Sequence, residues 1–253
     1  MIPIETALIV FACVFCGAML GMFLRVLIPE HHLSEESKDV IKVGMALIAT
    51  MTALVLGFVI ATAKSSYDTH DAALKHSAAK VLLLDRVLSN YGPETKYARG
   101  LLRRTVANRL DAIWPEDRFQ RDMLDAPEVE FTAQEIETWI LQLSPQTDAQ
   151  RWLKSQALQI ANEITETRWL VMGSIGSSVP VPFLVVIAFW LTIIFGSFGL
   201  FAPRNGTVVA VLFLCALSVS GSIFLILEMD QPFDGLIKIS SAPLRYTLSH
   251  LGQ

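Results

Sequence analysis

The sequence predicts an all-α membrane protein: four transmembrane helices with a helical bundle inserted between spans 2 and 3. Three observations carry that reading. Hydrophobic residues make up 53% of the 253-residue chain and the mean hydropathy is +0.48, more apolar than a soluble domain. Thirty of the 44 charged side chains fall between Lys64 and Arg168. Outside that region, residues 6–24, 43–63, 169–203 and 205–227 are free of charge. A helix crossing a hydrocarbon core of about 30 Å needs roughly 20 apolar residues; each run is long enough.

Span 1 begins near the N-terminus. Met1-Ile2-Pro3-Ile4-Glu5 lacks the basic start of a secretory signal, and the uncharged run exceeds a signal's apolar core, so it reads as a retained span. It ends towards Arg25 and Pro29. The loop Glu30-His31-His32-Leu33-Ser34-Glu35-Glu36 is acidic, with Ser34 placed to cap the next helix. Span 2 covers residues 41–63, and nothing stops a helix before Gly92-Pro93. Leu74, Ala78, Val81, Leu84 and Leu88 keep helical spacing, so span 2 is expected to continue as one helix of about 50 residues.

The domain spans residues 64–172. A second helix follows Pro93, with Ala98, Leu102, Val106, Leu110 and Ile113 on one side, and stops at Trp114-Pro115. Residues 118–130 read as a polar loop. Thr132-Ala133-Gln134-Glu135 fits a capping box for a short helix to Leu143. A longer helix after Ser144-Pro145 carries Ala149, Leu153, Ala157, Ile160 and Ile164 on one side. Residues 173–228 hold an interfacial joint, Gly173 to Ser178, and then spans 3 (183–201) and 4 (207–227). The tail, residues 229–253, is expected to lie along the interface. An even number of spans puts both termini and the bundle on one side. Lys64, Lys75, Lys80, Arg151, Lys154, Arg168, Lys238 and Arg245 on that side outnumber Arg25, Lys38, Lys42 and Arg204 on the other. The excess of basic residues predicts a cytoplasmic bundle and cytoplasmic termini in a cell (inner) membrane.

Several chemistries are excluded by pattern. A net charge of −4 argues against nucleic acid as a partner. There is no phosphate loop, His-Glu-x-x-His or nucleophile elbow, so no enzyme, metal or cofactor is expected. Cys13-x-x-Cys16 has apolar neighbours that disfavour the thiolate. No charge sits mid-span, which argues against proton-coupled transport and leaves a passive pore. Span 2 is the candidate: one face has Met45, Ile48 or Ala49, Thr52, Leu56, Val59 and Ala63, the next Gly44, Met51, Val55, Phe58 and Thr62. The same pattern fits a helix-packing face, and periodicity leaves both open. The Gly17-Ala18-Met19-Leu20-Gly21 motif and the Ser218, Ser220, Gly221, Ser222 cluster favour close packing, within or between subunits. Arg99, Arg103, Arg104 and Arg109 form a basic helix face that could meet anions or lipid headgroups.

Phe58-Val59-Ile60-Ala61-Thr62-Ala63-Lys64-Ser65-Ser66-Tyr67-Asp68 resembles the junction in the bestrophin chloride-channel family, where an apolar helix with a neck aromatic leads into a basic residue, Ser and Tyr. Asp230-Gln231-Pro232-Phe233, Gly235-Leu236-Ile237-Lys238-Ile239-Ser240 and Ala242-Pro243-Leu244 are similar to the tail of four-pass bestrophin-like proteins. The resemblance covers most of the chain. It implies a homo-oligomer, a pentamer in bestrophins, with span 2 around an anion-conducting pore. Met45, Ile48, Thr52, Val55, Phe58 and Thr62 are then the expected pore-lining positions, with Lys64, Ser65, Ser66 and Tyr67 at the mouth. The chain departs from bestrophins at Thr69-His70-Asp71, and their acidic calcium cluster is not identifiable in the tail. The expected partners are further copies of the chain, membrane lipids and inorganic anions. The competing expectation is a membrane-anchored scaffold or sensor whose bundle binds a cytoplasmic protein.

Overall fold

The computed structural model describes residues 3–28, 35–114, 133–173 and 179–252. The described residues contain eight α-helices and no strand: α1 (Pro3–Leu27), α2 (Glu35–Tyr91), α3 (Lys96–Ile113), α4 (Ala133–Gln142), α5 (Asp148–Gly173), α6 (Val181–Phe201), α7 (Gly206–Met229) and α8 (Ala242–His250). Four of them, α1, α2, α6 and α7, are long and apolar enough to cross a membrane. The His31-His32 pair, Ser34, the 118–130 loop, Thr132 and the joint after Gly173 lie outside the described residues.

The chain divides into two compact units, residues 1–67 with 177–237 and residues 68–176 with 238–253. In the first, α1 packs against α6 and α7. Val10, Val14, Ala18 and Met22 recur every fourth residue along α1 and meet Ile187, Leu191, Ile194, Phe195, Leu212, Ala216 and Ile223 in one buried cluster. Lipid is as apolar as a leucine side chain, so such helices associate through close packing rather than through escape from water. Glycine makes the approach possible. A Cβ at Gly17 would stand 2.8 Å from the Thr192 methyl; at Gly21 it would strike the Gly196 carbonyl, and at Gly199 the Ala18 carbonyl. The Gly17/Gly21 motif is therefore used within the chain, against Gly196 and Gly199. Phe11 and Phe15 stack at 5.9 Å, and Phe213 meets both edge-on at 5.3 and 5.5 Å, the offset geometry ring quadrupoles favour. In span 4, Ser218 and Ser222 donate back to carbonyls four residues earlier, and only Ser220 reaches across, to the Ala7 carbonyl.

α2 is continuous over 57 residues because no proline or helix-stopping turn interrupts it before Gly92, whose φ of 144° suits glycine alone. Thr95 closes that turn by donating to the Gly92 carbonyl at 2.8 Å and to the Leu88 carbonyl. In the second unit Leu74, Ala78, Val81, Leu84 and Leu88 are buried, with Ala98, Leu102, Val106, Leu110, Ala157 and Ile160. Asp85 and Arg99 form a two-pronged ion pair at 2.8 and 3.0 Å.

The tail, residues 229–253, is divided between the two units. Residues 229–237 group with the spans, and 238–252 with the second unit. Ile239, Leu244, Thr247 and Leu251 are buried; Trp114 Nε1 donates to the Ile239 carbonyl at 3.0 Å, and Thr247 Oγ1 to the Ala78 carbonyl at 3.2 Å. Nine helical residues carry too little pattern to reveal that docking from sequence.

Candidate functional site: span 2 and its outward face

The six pore-lining positions expected along span 2 do not share one environment. Thr52 is 4% exposed, and Met45, Ile48 and Val55 are half-buried against the cluster that holds Val59 and Ala63. These residues form one side of α2, turned towards the chain's own α1, α6 and α7 core. Phe58 stands on the other side at 63% exposure. Thr62 lies between the two and is half-buried.

The outward side has its own register. Gly44, Leu47, Met51, Leu54, Phe58 and Ala61 follow one another at intervals of three or four, and all are exposed; side chains so spaced lie on one face of a helix. It is apolar along its length. The nearby hydroxyls do not add donors to it: Thr50 donates to Ala46, Thr52 to Ile48 and Thr62 to Phe58, at 2.8 to 2.9 Å. A surface of this kind wets poorly, as a hydrophobic constriction does. A Cβ at Gly44 or Gly57 would meet nothing within 4 Å, in contrast to the four glycines of the α1–α6 contact.

Below this face come Lys64 and Ser65, exposed, and Ser66 and Tyr67, half-buried. The Lys64 ammonium lies 5.9 Å from the Tyr67 ring centroid, within cation–π range. The helix thus passes from a charge-free stretch to a cation held by an aromatic face.

Two sets of interactions that periodicity did not reveal order other parts of the chain, one in each unit. Glu228, buried at the end of α7, accepts the Leu236 and Ile237 backbone N–H groups at 2.5 and 3.3 Å. Gly235 has φ 84°, and a Cβ there would strike the Glu228 carboxylate. The Asp230-Gln231-Pro232-Phe233-Asp234-Gly235 motif is therefore a turn clipped to its own helix; an acidic residue seven before a glycine was its only sequence signal. In the second unit, Arg99 is committed to Asp85, whose hydrogen bond raises its pKa, and Gly252 N also donates to Asp85, at 3.3 Å. Arg109 is half-buried, and burial first, then the nearby Arg168 charge, lowers its pKa. Arg103 and Arg104 remain exposed. Among the described residues no group of three His, Cys, Asp or Glu side chains could hold a metal.

The family model described as Bestrophin-like domain matches residues 12–244. No curated protein and no solved structure matches the chain. The matched region runs from the first turns of α1 to the start of α8 and includes span 2, the Lys64–Tyr67 junction and the Glu228–Gly235 turn, so this membrane protein belongs to the bestrophin-like family.

Proposed function

We propose that the chain forms a homo-oligomeric ion channel, pentameric and anion-conducting, in which the outward face of span 2 borders a central axis. One observation carries this reading. Only 11% of span 2's apolar window is buried within the chain, against 28 to 33% for the other three spans. A span so lightly packed leaves a face open to lipid or to a neighbouring copy, and the charge-free stripe ending at Lys64 has the chemistry of a dewetting constriction with a cation at its mouth. Gly44 and Gly57, open on this side, leave room for a neighbouring helix. On this reading Phe58 is the principal narrowing, with Leu47, Met51 and Leu54 above it. Thr52, Met45, Ile48 and Val55 support the helix from behind.

The excess of basic residues favours a cytoplasmic bundle and cytoplasmic termini in the inner membrane. The reading involves no catalytic step and no cofactor. The test is anion flux from liposomes containing the purified protein, with native and Phe58→Ala chains compared. A folded oligomer that passes no ion under varied pH, calcium and voltage, and that instead purifies with a stoichiometric cytoplasmic protein, supports the scaffold reading.

A further inference from the structure

At the end of the first unit where α1 runs into α2 and α6 into α7, two arginines cross. Arg25, in the last turn of α1, donates from Nη1 to the Ala202 carbonyl just past α6. Arg204, two residues on, donates from Nη2 to the Met22 carbonyl of α1 at 2.7 Å. Each helix end is thus held by the cation of the other. Met22 and Arg25 are one turn apart and Ala202 and Arg204 two residues apart, so both guanidiniums sit over the same end of the α1–α6 pair.

Backbone capping accounts for one N–H of each. A guanidinium has five donors in a rigid fork, and the carbonyls that position these two are neutral. Among the described residues neither arginine meets a carboxylate. Within one turn along their helices, Val26 on α1 and Phe198 on α6 are exposed. Exposed apolar side chains within a turn of two fixed positive charges suit acyl chains.

We propose that Arg25 and Arg204 together hold the phosphate of an anionic phospholipid, with its acyl chains along Val26 and Phe198. Paired basic groups at helix ends are suited to such headgroups, and arginine's fork matches phosphate oxygens two at a time. A soluble phosphate shares the headgroup chemistry but makes no use of the adjoining apolar surface.

The experiment uses the full chain in a neutral detergent, with the thermal midpoint followed while phosphatidylglycerol, phosphatidylcholine or inorganic phosphate is added. Phosphatidylglycerol is expected to raise the midpoint saturably, and the other two to leave it unchanged. Arg25→Gln with Arg204→Gln keeps amide donors and removes both charges. It should need about 30-fold more phosphatidylglycerol for half-maximal effect, roughly fivefold for each charge lost. Should the double variant fail to fold, Arg25→Gln alone should show the fivefold shift, and Arg25→Lys should recover most of it. Equal responses of native and neutralised chains, or equal stabilisation by phosphatidylcholine, would assign the arginines to capping alone. Stabilisation by inorganic phosphate alone would replace the lipid with a soluble anion.

Discussion

Gly21 on α1 lies directly against the backbone of Gly196 on α6, so close that a Cβ on Gly21 would meet the Gly196 carbonyl and stand 3.0 Å from Leu200 N. Gly199 stands in the same relation to Ala18, with a Cβ 3.0 Å from Met22 N. Both obstacles are backbone, which cannot turn aside as a flexible side chain would. Gly21→Ala and Gly199→Ala should each lower stability by about 1–3 kcal/mol, the usual cost of overpacking, seen as a lower thermal midpoint in detergent. Gly57→Ala meets nothing in the chain; it should leave the midpoint of the isolated chain unchanged and reduce the oligomer fraction measured by mass photometry.

The Asp85–Arg99 pair should behave as a buried charge pair. Its carboxylate and guanidinium are 8% and 18% exposed, so removing one partner strands the other. Asp85→Asn is expected to cost about 3–5 kcal/mol, while replacing both with Leu and Met should cost less than the single change. Denaturant unfolding of the three chains decides it.

His70 is buried in the part of α2 beyond the span, and burial lowers its pKa from the ordinary value near 6.5. The unfolded chain therefore binds more protons than the folded one in the window just below pH 6.5. Stability should fall as pH drops through that window and level off beneath the folded value. His70→Gln should flatten this part of the stability–pH curve, and an unchanged slope would remove His70 as its source.

Gly235→Ala should disturb the turn after span 4 on two counts: a φ of 84° that side chains rarely adopt, and contact with the Glu228 carboxylate. A loss of roughly 1–3 kcal/mol is expected. Glu228→Ala in the same background should reduce the additional cost, because the obstructing carboxylate is gone. Thermal scans of the single and double variants give that coupling.

The four spans and the long α2 were legible because charge-free length and uninterrupted helical spacing are local properties. The buried faces of α2 and α3 were legible for the same reason: Leu74 to Leu88 and Ala98 to Leu110 repeat every third or fourth residue. Which side of span 2 turns inward was not. Every position from Val43 to Ala63 lacks charge, so periodicity had no polar face to set against an apolar one, and nothing local showed that Thr52 is buried with its hydroxyl donating to the Ile48 carbonyl. The Arg25–Arg204 crossing and the docking of α8 join residues more than 120 apart in sequence, and no local pattern encodes them.

On the proposed channel reading, Phe58 and Thr52 should separate the two faces functionally. Phe58→Ala should increase liposome anion flux several-fold by widening a hydrophobic constriction. Thr52→Val keeps the shape of a buried side chain and should leave flux within about twofold of native, at a stability cost of about 1 kcal/mol or less for the lost hydroxyl. Equal effects of the two would mean that the faces are not distinguished by the pore.

The most direct test of the central claim is cysteine accessibility along span 2, in a chain whose Cys13, Cys16 and Cys215 are replaced by alanine. Single cysteines at Leu47, Met51, Leu54 and Phe58 are predicted to react with a water-soluble thiol reagent in the assembled protein in membranes, while those at Ile48, Thr52 and Val59 stay protected. Protection of all seven, or reaction at Thr52 and Val59 with Leu54 and Phe58 silent, would contradict a water-lined axis on the outward face.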